Sequence, residues 1–262
     1  MDLGLRGKRA LVLASSQGLG LSVATSLVQE GAHVVIVGRS AEKLSGVADE
    51  LNALGSGKAE YVKADLSDRS SAADLYEQAK AKLGQVDILV NNTGGPPPGA
   101  TTTPDADGWR AQFDTMILRL IEITNLCLPD MQANSWGRVL TLASSGVEQP
   151  IPNLAMSNTL RSSLVGWSKS LANEVGQYGI TSNMQLPGRI MTARLNQLDG
   201  GNAERSGRTI EEVRAENEAQ IPVGRYGRVE EFGDLAAFLV SERASYITGS
   251  VIRCDGGATK GI

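Results

Sequence analysis

The sequence predicts an α/β fold: a doubly wound parallel sheet of about seven strands with helices on both faces. Three observations predict it. Short, nearly continuous apolar runs alternate with segments of helical spacing, as strands buried on both sides and their crossover helices should. The first run is followed by a turn of small residues that opens directly into a helix. The chain has 262 residues, enough for one large α/β unit over 1–262 and short for two ordinary ones.

The elements follow in order. Arg9–Ala14 reads as a buried strand, and Gly18–Glu30 as a helix with Leu19, Val23, Leu27 and Val28 at helical spacing. Ala32–Gly38 is the second strand and Ala41–Leu54 the second helix. Glu60–Lys63 and Val86–Asn91 are strands, with a helix over Ala72–Lys82 between them. A helix around Trp109–Met131, a strand Arg138–Ala143, a helix Leu154–Gln177 and a strand Thr181–Leu186 continue the rhythm. Helix Glu230–Ser241 and strand Ser250–Cys254 complete it. Two stretches break the pattern: Gly94–Ala100, a stiff GGPPPGA loop, and Arg189–Gly227, long and polar, with one short helix expected at Ile210–Gln220. Both follow strands, so both should border the crevice at the strands' carboxyl ends. The second reads as a substrate lid over 189–227, the alternative being a solvated insertion.

Composition narrows the function classes. Hydrophobic residues make up 41% and charged residues 21%, an ordinary globular balance. The net charge is −4 and no basic stripe is present, which argues against a nucleic-acid partner. The longest apolar runs, such as Ala10–Ala14 and His33–Gly38, are too short to span a bilayer, and MDLGLRGKR lacks the apolar core of a signal peptide. A cytoplasmic protein without membrane association is expected. Cys127 and Cys254 are expected to be buried free thiols of a reducing compartment. His33 is the only histidine, so a histidine-rich metal site is excluded by count and no metal is expected.

The turn after the first strand reads Leu13-Ala14-Ser15-Ser16-Gln17-Gly18-Leu19-Gly20. Small residues there let backbone amides approach a pyrophosphate, and the helix N-terminus adds its positive dipole. This is a Rossmann-type, dinucleotide-binding layout, with Ala14, Ser16, Gln17, Gly18, Leu19 and Gly20 at the phosphates. After the second strand stand Gly38-Arg39-Ser40. A missing carboxylate together with Arg39 and Ser40 suits a ribose 2′-phosphate, so NADP(H) is expected over NAD(H); the alternative for Arg39 is a plain surface cation.

With these residues the chain resembles the short-chain dehydrogenase/reductase family, nearest its β-ketoacyl-carrier-protein reductase branch. The family's TGxxxGxG keeps its last two glycines here, with Leu13-Ala14 in place of Thr-Gly. Ala64-Asp65-Leu66 matches the acidic residue that in relatives faces the adenine. Asn91-Asn92-Thr93-Gly94 matches NNAG. Pro187-Gly188-Arg189-Ile190 with Thr192 matches the segment beside the nicotinamide. The resemblance spans Lys8 to Gly257 and implies cofactor contacts at Asp65, Leu66, Asn92, Gly94, Pro187, Gly188, Ile190 and Thr192.

It also exposes a departure. The family's chemistry uses Asn, Ser, Tyr and Lys. Aligned on Gly137-Arg138-Val139-Leu140 and on Gly166-Trp167-Ser168-Lys169, without a gap, the Ser position is Ser144, the Tyr position Ser157 and the Lys position Arg161. Counting back from Leu128-Pro129 puts the Asn position at Met116. Serine cannot be tuned as a phenol can, and Arg161 keeps a charge that could still hold the ribose. Glu148 reads as a solvated loop carboxylate, the alternative being a substitute acid. The functional expectation is an oxidoreductase acting with NAD(P)(H) on a small carbonyl or alcohol, with atypical proton transfer. The alternatives are a catalytically impaired nucleotide-binding or regulatory member and a structural subunit. The apolar face of Leu160, Leu164, Trp167 and Leu171, on the helix through which relatives pair, adds the expectation of a homodimer or homotetramer.

Overall fold

The computed structural model describes residues 1–102 and 105–261. Seven parallel strands form one sheet in the order β3-β2-β1-β4-β5-β6-β7. They are β1 (Arg9–Val12), β2 (His33–Gly38), β3 (Lys58–Lys63), β4 (Ile88–Asn91), β5 (Gly137–Leu142), β6 (Ile180–Pro187) and β7 (Val251–Cys254). The order turns back between β1 and β4, and such a switch point opens a crevice at the carboxyl ends of the strands. Successive side chains of β2 point to opposite faces, yet Val34, Val35, Ile36 and Val37 are all buried. The sheet is therefore covered on both sides, as its apolar runs require.

One cover consists of α1 (Gly18–Gln29), α2 (Ala41–Asn52) and α9 (Val229–Leu239), whose Val23, Leu27, Leu44 and Phe232 share a core. The other consists of α3 (Ser71–Leu83), α5 (Arg119–Ala133) and α6 (Ala155–Val175), joined through Leu75, Ile123 and Leu164. Helices α1 and α9 cross so closely that a Cβ on Gly233 would lie 2.5 Å from the Ser22 carbonyl oxygen. Among the described residues no helix is long and apolar enough to cross a membrane.

The structure corrects several element boundaries. β1 leaves the sheet at Val12 rather than Ala14, and β3 begins at Lys58 rather than Glu60. The helix expected around Trp109–Met131 is three pieces: α4 (Ala106–Phe113), a π-helical turn Asp114–Leu118, and α5. The largest correction falls in 189–227. Besides α8 (Ile210–Ala219) it holds α7 (Ala193–Ser206), where loop was expected. The residues α7 buries are Leu195, Asp199 and Ala203, one turn apart, and the carboxylate in mid-stripe breaks the apolar pattern. Cys127 is buried as expected, whereas Cys254 is only half-buried.

Candidate functional site

The turn after β1 is shaped by hydrogen bonds that its sequence supplies. Ser15 is fully buried; its N–H donates to the Val37 carbonyl (2.8 Å), and its hydroxyl accepts from Val37 N–H and donates to the Val12 carbonyl. This ties β1 to the end of β2. Ala14 has φ +46°, in the left-handed region that glycine adopts with least strain. The Asn92 side chain holds that strained residue by donating to the Ala14 carbonyl (3.1 Å). A Cβ on Gly20 would stand 2.6 Å from the same carbonyl oxygen, so only glycine fits there. Gln17 precedes α1 without a side-chain cap, and the first turn carries no acid. The amides of Gly18, Leu19 and Gly20, in the first turn, are thus left without an acceptor within the helix.

The far end of the turn is basic. Gly38 packs against Ser16, Arg39 is exposed, and Ser40 caps α2 by accepting from Lys43 N–H. The Lys43 ammonium donates to the Gln17 side chain, so Arg39 and Lys43 flank one rim. Asp65 accepts from the amide and hydroxyl of Ser67, which hold its carboxyl below the usual range, and Arg39 adds to the effect. Leu66 beside it is nearly buried. A Cβ placed on Gly94 would meet nothing within 4 Å, leaving open space where β4 ends. Pro187 closes β6, and Gly188 lies so near Asp255 that a Cβ would fall 2.6 Å from its Cα. Ile190 is buried in the core, and Thr192 caps α7 by accepting from Leu195 N–H.

The chemistry-bearing end sits at the mouths of β4 and β5. Ser144 caps a short 3-10 turn, its Oγ accepting from Gly146 N–H (3.1 Å), which leaves its own proton free to donate. Ser157 and Arg161 lie one turn apart on α6, and both are buried. Arg161 donates to the Leu142 carbonyl (3.2 Å) and the Thr93 carbonyl (3.4 Å). Burial pushes its guanidinium down to about 10, and the nearby charge of Arg194 acts in the same direction. It stays cationic at neutral pH. Met116 occupies the π-helical turn, which packs on α6, and is 1% exposed within the apolar core.

None of the described tyrosines lies beside Ser157 on α6. Tyr76 donates to Asp130, Tyr226 to Asp199 within 189–227, Tyr61 lies on β3, and Tyr178 and Tyr246 are exposed. Lys169 packs against Gly249 instead. Glu148 is an exposed loop carboxylate, paired with Arg253 of β7.

Sequence reasoning missed three features. Arg194, in the first turn of α7, donates to the Pro96 carbonyl (3.1 Å) and so bridges the segment 189–227 to the GGPPPGA loop. Its position just past Thr192 was the available signal. Lys43 sits three residues past Ser40, one helical turn from the basic rim. Fully buried Asp199 gathers Tyr226 (3.1 Å), Asn217 and Arg189 (both 3.4 Å), with Arg214 at 3.9 Å, and thereby joins α7, α8 and the segments flanking them. The ends of the segment are clamped where Met191 N–H donates to the Gly227 carbonyl (2.8 Å) and Gly227 N–H to the Arg189 carbonyl (2.9 Å).

Comparison with known proteins agrees with this geometry. A family profile described as Enoyl-(Acyl carrier protein) reductase matches residues 13–259. The chain is similar to the 3-oxoacyl-[acyl-carrier-protein] reductase of Salmonella typhimurium, 32% identical over 257 residues, covering 97% of this chain and 98% of the relative. It is also similar to an NADPH-dependent reductase of Bacillus subtilis, 28% identical, with 97% and 99% covered. Among solved structures, L-sorbose reductase from Gluconobacter frateurii, complexed with NADPH and L-sorbose, superposes with a TM-score of 0.94 at 28% identity, with both chains fully covered. The NADPH-dependent reductase involved in bacilysin biosynthesis superposes at 0.93 with 27% identity, 98% of this chain and all of that one being covered. Sheet order, glycine cradle and full-length similarity together make this chain a member of the short-chain dehydrogenase/reductase family, a family of nucleotide-dependent oxidoreductases.

Proposed function

We propose that the protein is an NADP(H)-dependent oxidoreductase acting on a small carbonyl or alcohol substrate, with hydride transfer kept and proton handling altered. The observation that carries this reading is the crevice itself: an intact anion cradle with a basic far rim, ending at a Ser–Arg floor without a phenol. The residues present fit a dinucleotide. Gly18 leaves room for close backbone approach, since a Cβ there would meet nothing nearer than the Thr192 methyl at 3.9 Å, Arg39 and Lys43 offer cations to a 2′-phosphate, and Gly94 leaves open space at the other end. The names of several relatives, which specify NADPH, support the same choice.

When bound, the reduced cofactor supplies a hydride to the carbonyl carbon. Ser144 donates its hydroxyl proton in a hydrogen bond to the carbonyl oxygen, and Arg161 supplies positive charge against the developing alkoxide. Ser157 cannot serve as the acid at neutral pH, so the alkoxide takes its proton from water. Positioned proton transfer contributes about a hundredfold to ten-thousandfold, and turnover on generic ketones should be lower by that factor. The segment 189–227, clamped at its ends and reaching the β4 loop through Arg194, serves as the lid.

Fluorescence titration with NADPH and NADH, followed by NADPH-consumption assays on neutral ketones, tests this. NADPH should bind, turnover should be slow, and the combined variant Met116→Asn, Ser157→Tyr, Arg161→Lys should raise it. If neither nucleotide binds, the oxidoreductase reading is lost. A second reading, nucleotide binding without turnover, is favoured by the absence of any transferable proton at Ser157. NADPH binding with no hydride transfer to any carbonyl would select it.

A further inference from the structure

Arg161 is a buried guanidinium without an acidic partner. Two of its five N–H donors meet carbonyl oxygens, and no carboxylate among the described residues pairs with it. Buried charges are ordinarily paired, because desolvating an ion costs several kcal/mol. Carboxylates on the segments around it are engaged elsewhere: Glu148 with Arg253, Asp199 with Arg189, Asp114 with Arg69. A second cation without a described ion pair, Arg194, stands across the same short loop. Arg161 is bonded to the Thr93 carbonyl and Arg194 to the Pro96 carbonyl. Three residues span at most about 11 Å even when extended, and the charge of Arg194, exposed on α7, acts on buried Arg161, so the two guanidinium groups lie near one another. Like charges placed together raise each other's cost, and an anion between them removes it.

Two neighbours of Arg161 bear on what it can meet. Thr93, whose carbonyl Arg161 holds, is 6% exposed, and its hydroxyl is buried with no hydrogen-bond partner. Ser157, one turn before Arg161 on the same face of α6, ends at its hydroxyl where the family has a full phenol ring. A serine there puts a short hydroxyl, not a ring, one turn before the guanidinium.

We propose that the crevice binds an anionic substrate, a short oxo carboxylate, with its carboxylate held between Arg161 and Arg194 and its carbonyl oxygen accepting from Ser144. This deepens the oxidoreductase reading and rests on it for the reaction, although the anion site itself does not depend on the cofactor. Guanidinium groups suit carboxylates because their parallel donors match both oxygens.

The test is calorimetric titration of a series of short oxo carboxylates, from pyruvate to 4-oxopentanoate, each beside its methyl ester. It is run on the apo protein and on protein saturated with NADP+, where no turnover occurs. At least one acid should bind tenfold or more tightly than its ester. The preference should collapse in Arg194→Gln and in Arg161→Met and be partly kept in Arg194→Lys. Circular dichroism of each variant checks that it is folded. Equal binding of acids and esters by wild-type protein, or a preference unchanged in both charge-removing variants, overturns the proposal. Failure of NADP+ to bind while the acids retain their preference would instead sink the cofactor reading and leave the anion site standing.

Discussion

Replacing Arg161 by methionine should make the free protein more stable. The side chain is buried, and burial takes its guanidinium from its ordinary value down to about 10. That lowering, at about 1.4 kcal/mol for each tenfold change, disfavours the charged form by about 3 kcal/mol. Methionine has similar length and no charge to desolvate. Against that gain, the Leu142 and Thr93 carbonyls lose their donors, costing about 1 kcal/mol between them if water reaches the crevice. The net expectation is a gain of about 1–2 kcal/mol, or about 3–6 °C in Tm for a chain of this size. The pH dependence has a definite sign. Arg161 is a base whose folded-state value is lowered, so its penalty is fully present below about pH 10 and fades as pH rises beyond it. The advantage of methionine should thus be equal at pH 7 and pH 9. Urea unfolding at both values, without nucleotide, measures it. A midpoint below that of wild type at either pH would refute the reasoning, because it would mean that the guanidinium is compensated by something other than a ligand.

Other outcomes follow from the same geometry. Arg39→Asp should exchange a preference for NADPH over NADH for the reverse, read as the ratio of dissociation constants in fluorescence titration. Asp199→Ala should leave Arg189, Arg214, Asn217 and Tyr226 without their common acceptor, costing about 3 kcal/mol, with limited proteolysis first cutting within Ala193–Ala219. Light scattering at micromolar concentration should show a dimer or tetramer paired through α6, and Trp167→Glu should weaken it; a wild-type monomer would remove the idea.

The sheet was legible because its signal is local. A run such as HVVIVG has few ways to hide its apolar surface other than between two layers of helix. Gly18 and Gly20 were legible for a similar reason, since the Gly20 backbone needs the missing side chain. What escaped depended on partners distant in sequence or on backbone detail that composition does not encode. Helix α7 was obscured by Asp199, whose place in the buried stripe makes sense only once Tyr226 and Arg189 are beside it. The π-helical turn at Asp114–Leu118 adds one residue to a helical ladder, and no residue type announces that. Glu148 looked free because its partner, Arg253, is 105 positions away. Leu13 and Ala14 retain strand-like character although they have left the sheet to shape the turn.

The two ends of the crevice are built by different means, and this explains how one can change while the other persists. At the phosphate end the work is done by backbone: the position of Gly20, the left-handed Ala14 and the tie from Asn92 to its carbonyl. Substitution there strains the fold itself, and alanine at position 14 is tolerated because it is the smallest side chain that can adopt φ +46°. At the other end the frame is α6, the end of β5 and the π-helical turn, and the chemistry hangs from side chains on that frame. Exchanging those side chains leaves the frame standing, which is consistent with a family match that runs through this region, over residues 13–259. The exchange is not random in charge: a Tyr–Lys pair carries one cation and a tunable proton, whereas Ser157–Arg161 keeps the cation and gives up the proton. A site altered in that direction retains what binds and orients an anion and loses what hands over a proton. Selection for a negatively charged substrate, whose own carboxylate answers the buried guanidinium, accounts for both halves of that change.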